Sequence, residues 1–236
     1  MSQLGAKGTA AFPGVDVWVA APYTLIPGLA ALKSPMVKVG AQAVSANTGA
    51  HTGEVSAAMA KSVGATFTIV GHSERRAQGE SDAAVYANLQ AALAQKLIPV
   101  LCVGESERDP NGAHFEYIEN QLTSALRGFN KASKLVIAYE PVWAIGKSAG
   151  DAMKPADLQE MHIFIRKTLT AILGRAVADT VSIIYGGSVE AENAASLLEE
   201  GGVSGFLVGH ASATPNTFID ILSLCKKTLR VKKSKK

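Results

Sequence analysis

Leu135-Val136-Ile137-Ala138-Tyr139-Glu140-Pro141-Val142-Trp143-Ala144-Ile145-Gly146 is the stretch on which the architecture turns. A β-rich apolar run ends in a carboxylate, then a proline, then a short apolar loop closed by glycine. Strand ends in α/β folds project their side chains into a cleft, and reactive groups sit there. Pro141 has no N–H, so it stops the strand ladder and stiffens the loop's first joint. Val142, Trp143, Ala144 and Ile145 do not favour water, so the loop reads as a lid that closes on something. The plainer alternative is a buried, salt-bridged Glu140 at a strand end.

Outward from this unit, apolar β-rich runs alternate with helical patterns along the chain. Strands are expected at 15–20, 37–41, 67–70, 98–103, 135–139, 181–185 and 205–208. Helices are expected at 25–32, 57–63, 82–96, 114–129, 155–173, 192–200 and 217–227. Nearly continuous apolar strands with helical crossovers make a parallel sheet covered on both faces. Regular spacing with no second domain favours a closed barrel of eight strand–helix units. Seven units are counted, and residues 1–14 carry no apolar strand.

Composition sets the outer limits. With 47% hydrophobic and 18% charged residues in 236, the chain can bury a large core. It has no long apolar run and no signal-like N-terminus, so a cytoplasmic protein with no membrane partner is expected. Cys102 lies inside an apolar strand and reads as a reduced thiol. The +3 net charge conceals an asymmetry: seven of the 23 basic residues fall in 226–236, a segment without acid. The body, with 16 basic against 20 acidic residues, offers no nucleic-acid surface. The expected division is a barrel domain over 1–225 and a solvated basic tail over 226–236. A second reading makes 228–233, with apolar residues at alternate positions, a short strand in the vacant eighth slot.

Three further motifs carry chemistry. Val70-Gly71-His72-Ser73-Glu74-Arg75-Arg76 places a histidine directly after a strand. No ligand partner stands at metal spacing, so His72 is an acid/base candidate rather than a metal ligand. A helix starting at Ser73 would disfavour imidazolium and keep the ring neutral. Tyr185-Gly186-Gly187-Ser188 and Gly209-His210-Ala211-Ser212 follow the last two expected strands. Paired glycine turns at such positions present backbone N–H groups to a phosphate. A carboxylate base, a neutral imidazole, a lid and a phosphate cradle suit proton abstraction beside a carbonyl on a small phosphorylated substrate. No metal or other cofactor is called for.

Residues 70–76, 138–146 and 185–189 resemble the triosephosphate isomerase family, and the likeness runs from about 15 to about 222. The resemblance implies a TIM (β/α)8-type barrel lacking its first βα unit. It implies interconversion of glyceraldehyde 3-phosphate and dihydroxyacetone phosphate, in glycolysis and gluconeogenesis, through an enediol(ate). By the same resemblance Glu140 would be the base and His72 the electrophile, roles for which this family is itself a worked example of pKa tuning. Pro141 to Trp143 would form the lid's first hinge. Gly146, Ser188, Gly209 and His210 would bind phosphate, with Glu74 and Cys102 behind the reacting groups. The segment 42–54, with Thr52, resembles the family's dimer loop, implying a homo-oligomer.

Three departures accompany the likeness. The family's first strand, with its Asn and Lys, is not found before Val15, which weakens the expected charge stabilisation and the usual dimer pocket. This leaves an alternative: a weakened or inactive barrel that binds phosphorylated ligands or a protein partner. His210 stands where the family usually has glycine, and its amide serves only if φ there is not strained. The lid's far side, 147–152, differs from the family's threonine-glycine pattern.

Overall fold

The computed structural model describes residues 12–35, 37–129, 133–147 and 152–234. Among the described residues, six strands form one parallel sheet in chain order: β1 (Val17–Ala21), β2 (Val37–Ala41), β3 (Phe67–Val70), β4 (Ile98–Val103), β5 (Val136–Tyr139) and β6 (Ser182–Tyr185). Each neighbour pair is parallel, with Cys102 opposite Ala138 and Tyr139 opposite Tyr185. The crossovers carry α1 (Ile26–Ala31), α2 (Ala57–Ser62), α3 (Ser73–Ala77), α4 (Asp82–Ala94), α5 (Ala113–Ala125), α6 (Pro155–Leu173), α7 (Arg175–Ala178), α8 (Ala191–Glu200) and α9 (Pro215–Ser234). Helix starts are set locally. The Ser56 and Ser81 hydroxyls accept from Met59 N and Ala84 N, and Glu190 and Asn193 form a reciprocal box at α8.

Strand alternation sorts side chains onto two faces. Val70, Leu101, Val103, Ile137, Tyr139, Ile183 and Tyr185 pack outward against Ile118, Leu122, Leu158, Met161 and Leu197 of the helices. Phe67, Ile69, Val100, Cys102 and Ala138 form a separate inner cluster with Trp18, Ala20, Ile184 and Leu207. That inner cluster is the barrel's lining. The same parity that puts Val136 and Ala138 on the inner face puts Glu140 at its rim.

Two expectations are corrected. The strand expected at 205–208 is reduced to one bridge, Tyr185 with Phe206. Its backbone still follows β6, with Tyr185 N donating to Gly205 O and Leu207 N to Tyr185 O. Short length and Gly205, which loses much entropy when ordered, account for the broken ladder. The second correction concerns the tail. Residues 226–234 are neither an unstructured end nor a strand; they continue α9 across the 225/226 division. Ile221, Leu222, Cys225 and Thr228 recur at helical spacing and are all buried, and that burial carries the helix forward.

The same helix occupies the seam between the sheet's two ends. Ile221 and Cys225 join the main cluster. Leu222, Phe218 and Ile219 pack instead with Phe12, Val17 and Val37. Of residues 1–14, on which the expectation of a missing first unit rests, 1–11 lie outside the described residues. So do 148–151 of the lid's far side.

Candidate active site

Glu140 follows β5 directly and is only 2% exposed. Its backbone N–H donates to Val103 O at 2.8 Å, which anchors it to the end of β4. Two glycines make room for it. A side-chain carbon on Gly104 would collide with the Glu140 carbonyl oxygen, and one on Gly186 would lie 2.7 Å from Glu140 Cγ.

The carboxylate has several partners. His72 Nε2 lies 3.2 Å from Oε1, and Ser73 N–H donates to Oε2 at 3.1 Å. The nearby Cys102 thiol also favours the charged carboxylate. Burial nonetheless outweighs these partners and Arg76, and raises the Glu140 pKa above the usual carboxylate range. Burial likewise holds the Cys102 thiol well above its ordinary value, so it remains a donor.

His72 is the N-cap of α3, and its Nδ1 accepts from Glu74 N at 3.3 Å. An Nδ1 that accepts carries no proton, so the ring hydrogen is on Nε2 and points at Glu140. Glu74 reaches the site through this amide alone; its exposed carboxylate has no partner among the described residues.

A second buried carboxylate holds the lid. Glu105, two residues beyond β4, is 2% exposed. Its Oε1 accepts from Tyr139 Oη at 2.8 Å and from Trp143 Nε1 at 2.9 Å. Its carbonyl accepts from Val142 N at 2.9 Å. Burial and the adjacent Glu105 charge both keep Tyr139 protonated, so it stays a donor. Pro141 is extended at φ −61° and ψ 105°, and Val142–Ala144 form one 3-10 turn. Ala144 is buried and Trp143 half-buried, whereas Val142 and Ile145 face solvent at 43% and 39% exposure. The apolar loop therefore still has surface to bury. Glu105, which anchors this loop, is not singled out from the sequence. The signal that marks Glu140, a carboxylate just after an apolar strand, marks it too.

The expected phosphate groups lie at the neighbouring strand ends. Gly146 has φ +70° and is exposed. Ser188, half-buried beyond β6, is engaged with the lid: its N–H donates to Ala144 O at 3.3 Å, and its Oγ accepts from Lys147 N at 3.0 Å. Gly209 and His210 are exposed at the start of a 3-10 turn, His210–Ser212. His210 is not among the described non-glycine residues with positive φ, which are Lys33 and Lys96. Histidine thus sits there without backbone strain. Among the described residues, no group of three or more His, Cys, Asp or Glu is arranged to hold a metal ion. No helix among them is long and apolar enough to cross a membrane.

Known proteins match this chain over most of its length. The family model described as triosephosphate isomerase matches residues 2–225. The triosephosphate isomerase of Roseiflexus sp. (strain RS-1) is 42% identical over 212 residues, covering 87% of this chain and 83% of that protein. That of Herpetosiphon aurantiacus is 44% identical over 214 residues, covering 88% and 84%. The crystal structure of triosephosphate isomerase from Bartonella henselae superposes with a TM-score of 0.83 at 34% identity, covering 97% of this chain and 92% of that one. On sequence and architecture, this chain belongs to the triosephosphate isomerase family.

Proposed function

We infer that this chain interconverts glyceraldehyde 3-phosphate and dihydroxyacetone phosphate by moving one proton between adjacent carbons. The observation that carries the reading is the Glu140–His72 pair, 3.2 Å apart with the ring hydrogen between them. Glu140 takes a proton from the carbon beside the carbonyl, and its raised pKa brings its basicity nearer to the task. The released electrons pass to the carbonyl oxygen, forming an enediol(ate). His72 Nε2–H donates to that oxygen. The hydrogen now directed at Glu140 is the one the substrate oxygen takes, so substrate binding frees Oε1 to act. Glu140 then delivers its proton to the former carbonyl carbon, while the neighbouring hydroxyl gives its own proton to His72 Nε2 and becomes the new carbonyl, so both residues regain their starting states.

Backbone amides of Gly146, Ser188, Gly209 and His210 bind the phosphate in this reading. The Ser188 amide exchanges Ala144 O for a phosphate oxygen, which couples phosphate binding to lid movement. The setting proposed is the cytoplasm, with no cofactor. Residues 47–54 are exposed, and Glu54 braces the segment by accepting from Ser45 Oγ and Asn47 Nδ2, which supports a homo-oligomer built through it.

A coupled assay of glyceraldehyde 3-phosphate isomerisation tests the reading, run beside Glu140→Ala. Turnover in the native chain that is lost in the variant is the expected result. Equal rates in both would overturn it.

A further inference from the structure

Glu140 has a second approach that no substrate-binding group shares. A cavity of about 250 Å³ opens between the β3 and β4 ends, lined by Gly71, Ser73, Arg76, Val103, Glu140 and Tyr117, among others. His72, Gly146, Ser188, Gly209 and His210 are absent from its wall. Its rim residues Ala77, Ser106, Tyr117 and Val142 are exposed, while Gly71, Val103 and Glu140 on its floor are buried. The space thus runs from solvent to the carboxylate. Arg76 Nε donates to Gly71 O at 2.9 Å and Nη1 to Asp82 Oδ1 at 2.6 Å, but Nη2 is buried with no protein partner. The space is large enough for water, and the unpartnered Arg76 Nη2 and the Glu140 carboxylate give that water a donor and an acceptor.

We propose that this cavity is the route by which the proton taken up by Glu140 exchanges with solvent, with Ser106, Ala77 and Tyr117 setting its width. The inference rests on Glu140 acting as the base. After abstraction the carboxyl group holds the substrate's hydrogen. It either returns that hydrogen to the neighbouring carbon or gives it to a cavity water and accepts another in its place; the exchange is degenerate and consumes nothing. A lid closed over the substrate seals the opposite side, and only Val142 of this wall belongs to the lid. Apart from Glu140 itself, the rest of the wall comes from β4, the chain after β3 and β4, and α5, so lid movement leaves most of this wall in place.

The partition between return and exchange is directly measurable. The native chain, an Ala77→Phe/Ser106→Leu variant that plugs the rim, and Tyr117→Ala, which widens it, each isomerise unlabelled glyceraldehyde 3-phosphate in D2O. Proton NMR of the product reports the fraction still carrying the substrate's hydrogen. The plugged variant should raise that fraction about twofold or more while kcat stays within about threefold, and Tyr117→Ala should lower it. The same fraction in all three overturns the proposal, and so does a native-like fraction in Tyr117→Ala alone if the plugged variant does not fold. A native chain that fails to isomerise at all would instead sink the functional reading on which this rests.

Discussion

Glu140 and Ser188 stand beyond the ends of neighbouring strands, and they are held in opposite ways. Glu140 is buried, with a ring nitrogen and an amide both directed at one carboxylate. Ser188 is half-buried, and both its backbone and its hydroxyl are tied to the lid. In the first arrangement His72 and Ser73 already meet the carboxylate within the fold. The second holds exchangeable bonds that an anion can take over. Chemistry depends on geometry at the scale of an ångström, whereas gripping a phosphate can be coupled to movement.

The contrast breaks most sharply at Glu140. Glu140→Asp withdraws the carboxylate by about 1 Å and should lower kcat at least about 100-fold in the coupled assay. Full turnover would mean the buried pair is structural. Next comes Glu105, which fastens the lid's first hinge to the rigid half. Glu105→Ala leaves the Tyr139 hydroxyl and the Trp143 indole without their acceptor, and should lower the unfolding free energy in urea by about 2 kcal/mol. Glu105→Gln, which keeps an oxygen there, should recover most of that loss. An Ala variant as stable as the native chain would show that the hinge holds itself. On the exchangeable side, Ser188→Ala removes the Lys147 acceptor and should raise KM about fivefold with a smaller change in kcat. A fall in kcat alone would move Ser188 to the chemical half.

The smallest effect is read as a slope. Burial raises the Glu140 pKa from an ordinary 4.5, so between the unfolded and folded values the native state binds more protons than the unfolded one. Stability contributed by this group is complete below the unfolded value and is lost as pH rises through the folded one. The native chain should therefore lose stability relative to Glu140→Gln as pH climbs from 4.5 toward neutrality, whatever constant offset the amide introduces. Parallel melting curves check this, and a difference that is flat with pH would show that burial is not the controlling cause.

The signals legible in the sequence are local ones. The strands at 37–41, 67–70 and 98–103 form over the expected residues because each is a short, nearly continuous apolar run. Glu140 and His72 stand out because each directly follows such a run. Glu105 follows one as well, but its meaning depends on Tyr139 and Trp143, 34 and 38 positions away, and nothing near it announces them. The tail departs from expectation for a different reason. Residues 228–233 alternate like a strand, yet the helix already under way from Pro215 buries Cys225 and Thr228 on one continuous face. Propagation from a packed helix overrides a short local pattern.

The helix across the seam also governs when the molecule can finish folding. Phe218, Ile219 and Leu222 meet Phe12 and Val17, partners from opposite ends of the described chain. Contacts of such long sequence separation form only after the intervening strands have drawn the ends together, so this closure comes late. Run in reverse, it marks the weakest hoop of the barrel. Amides of β1 and α9 should exchange with solvent before those of β4 and β5, and the two ends of the chain should loosen together although nothing in their order of synthesis links them.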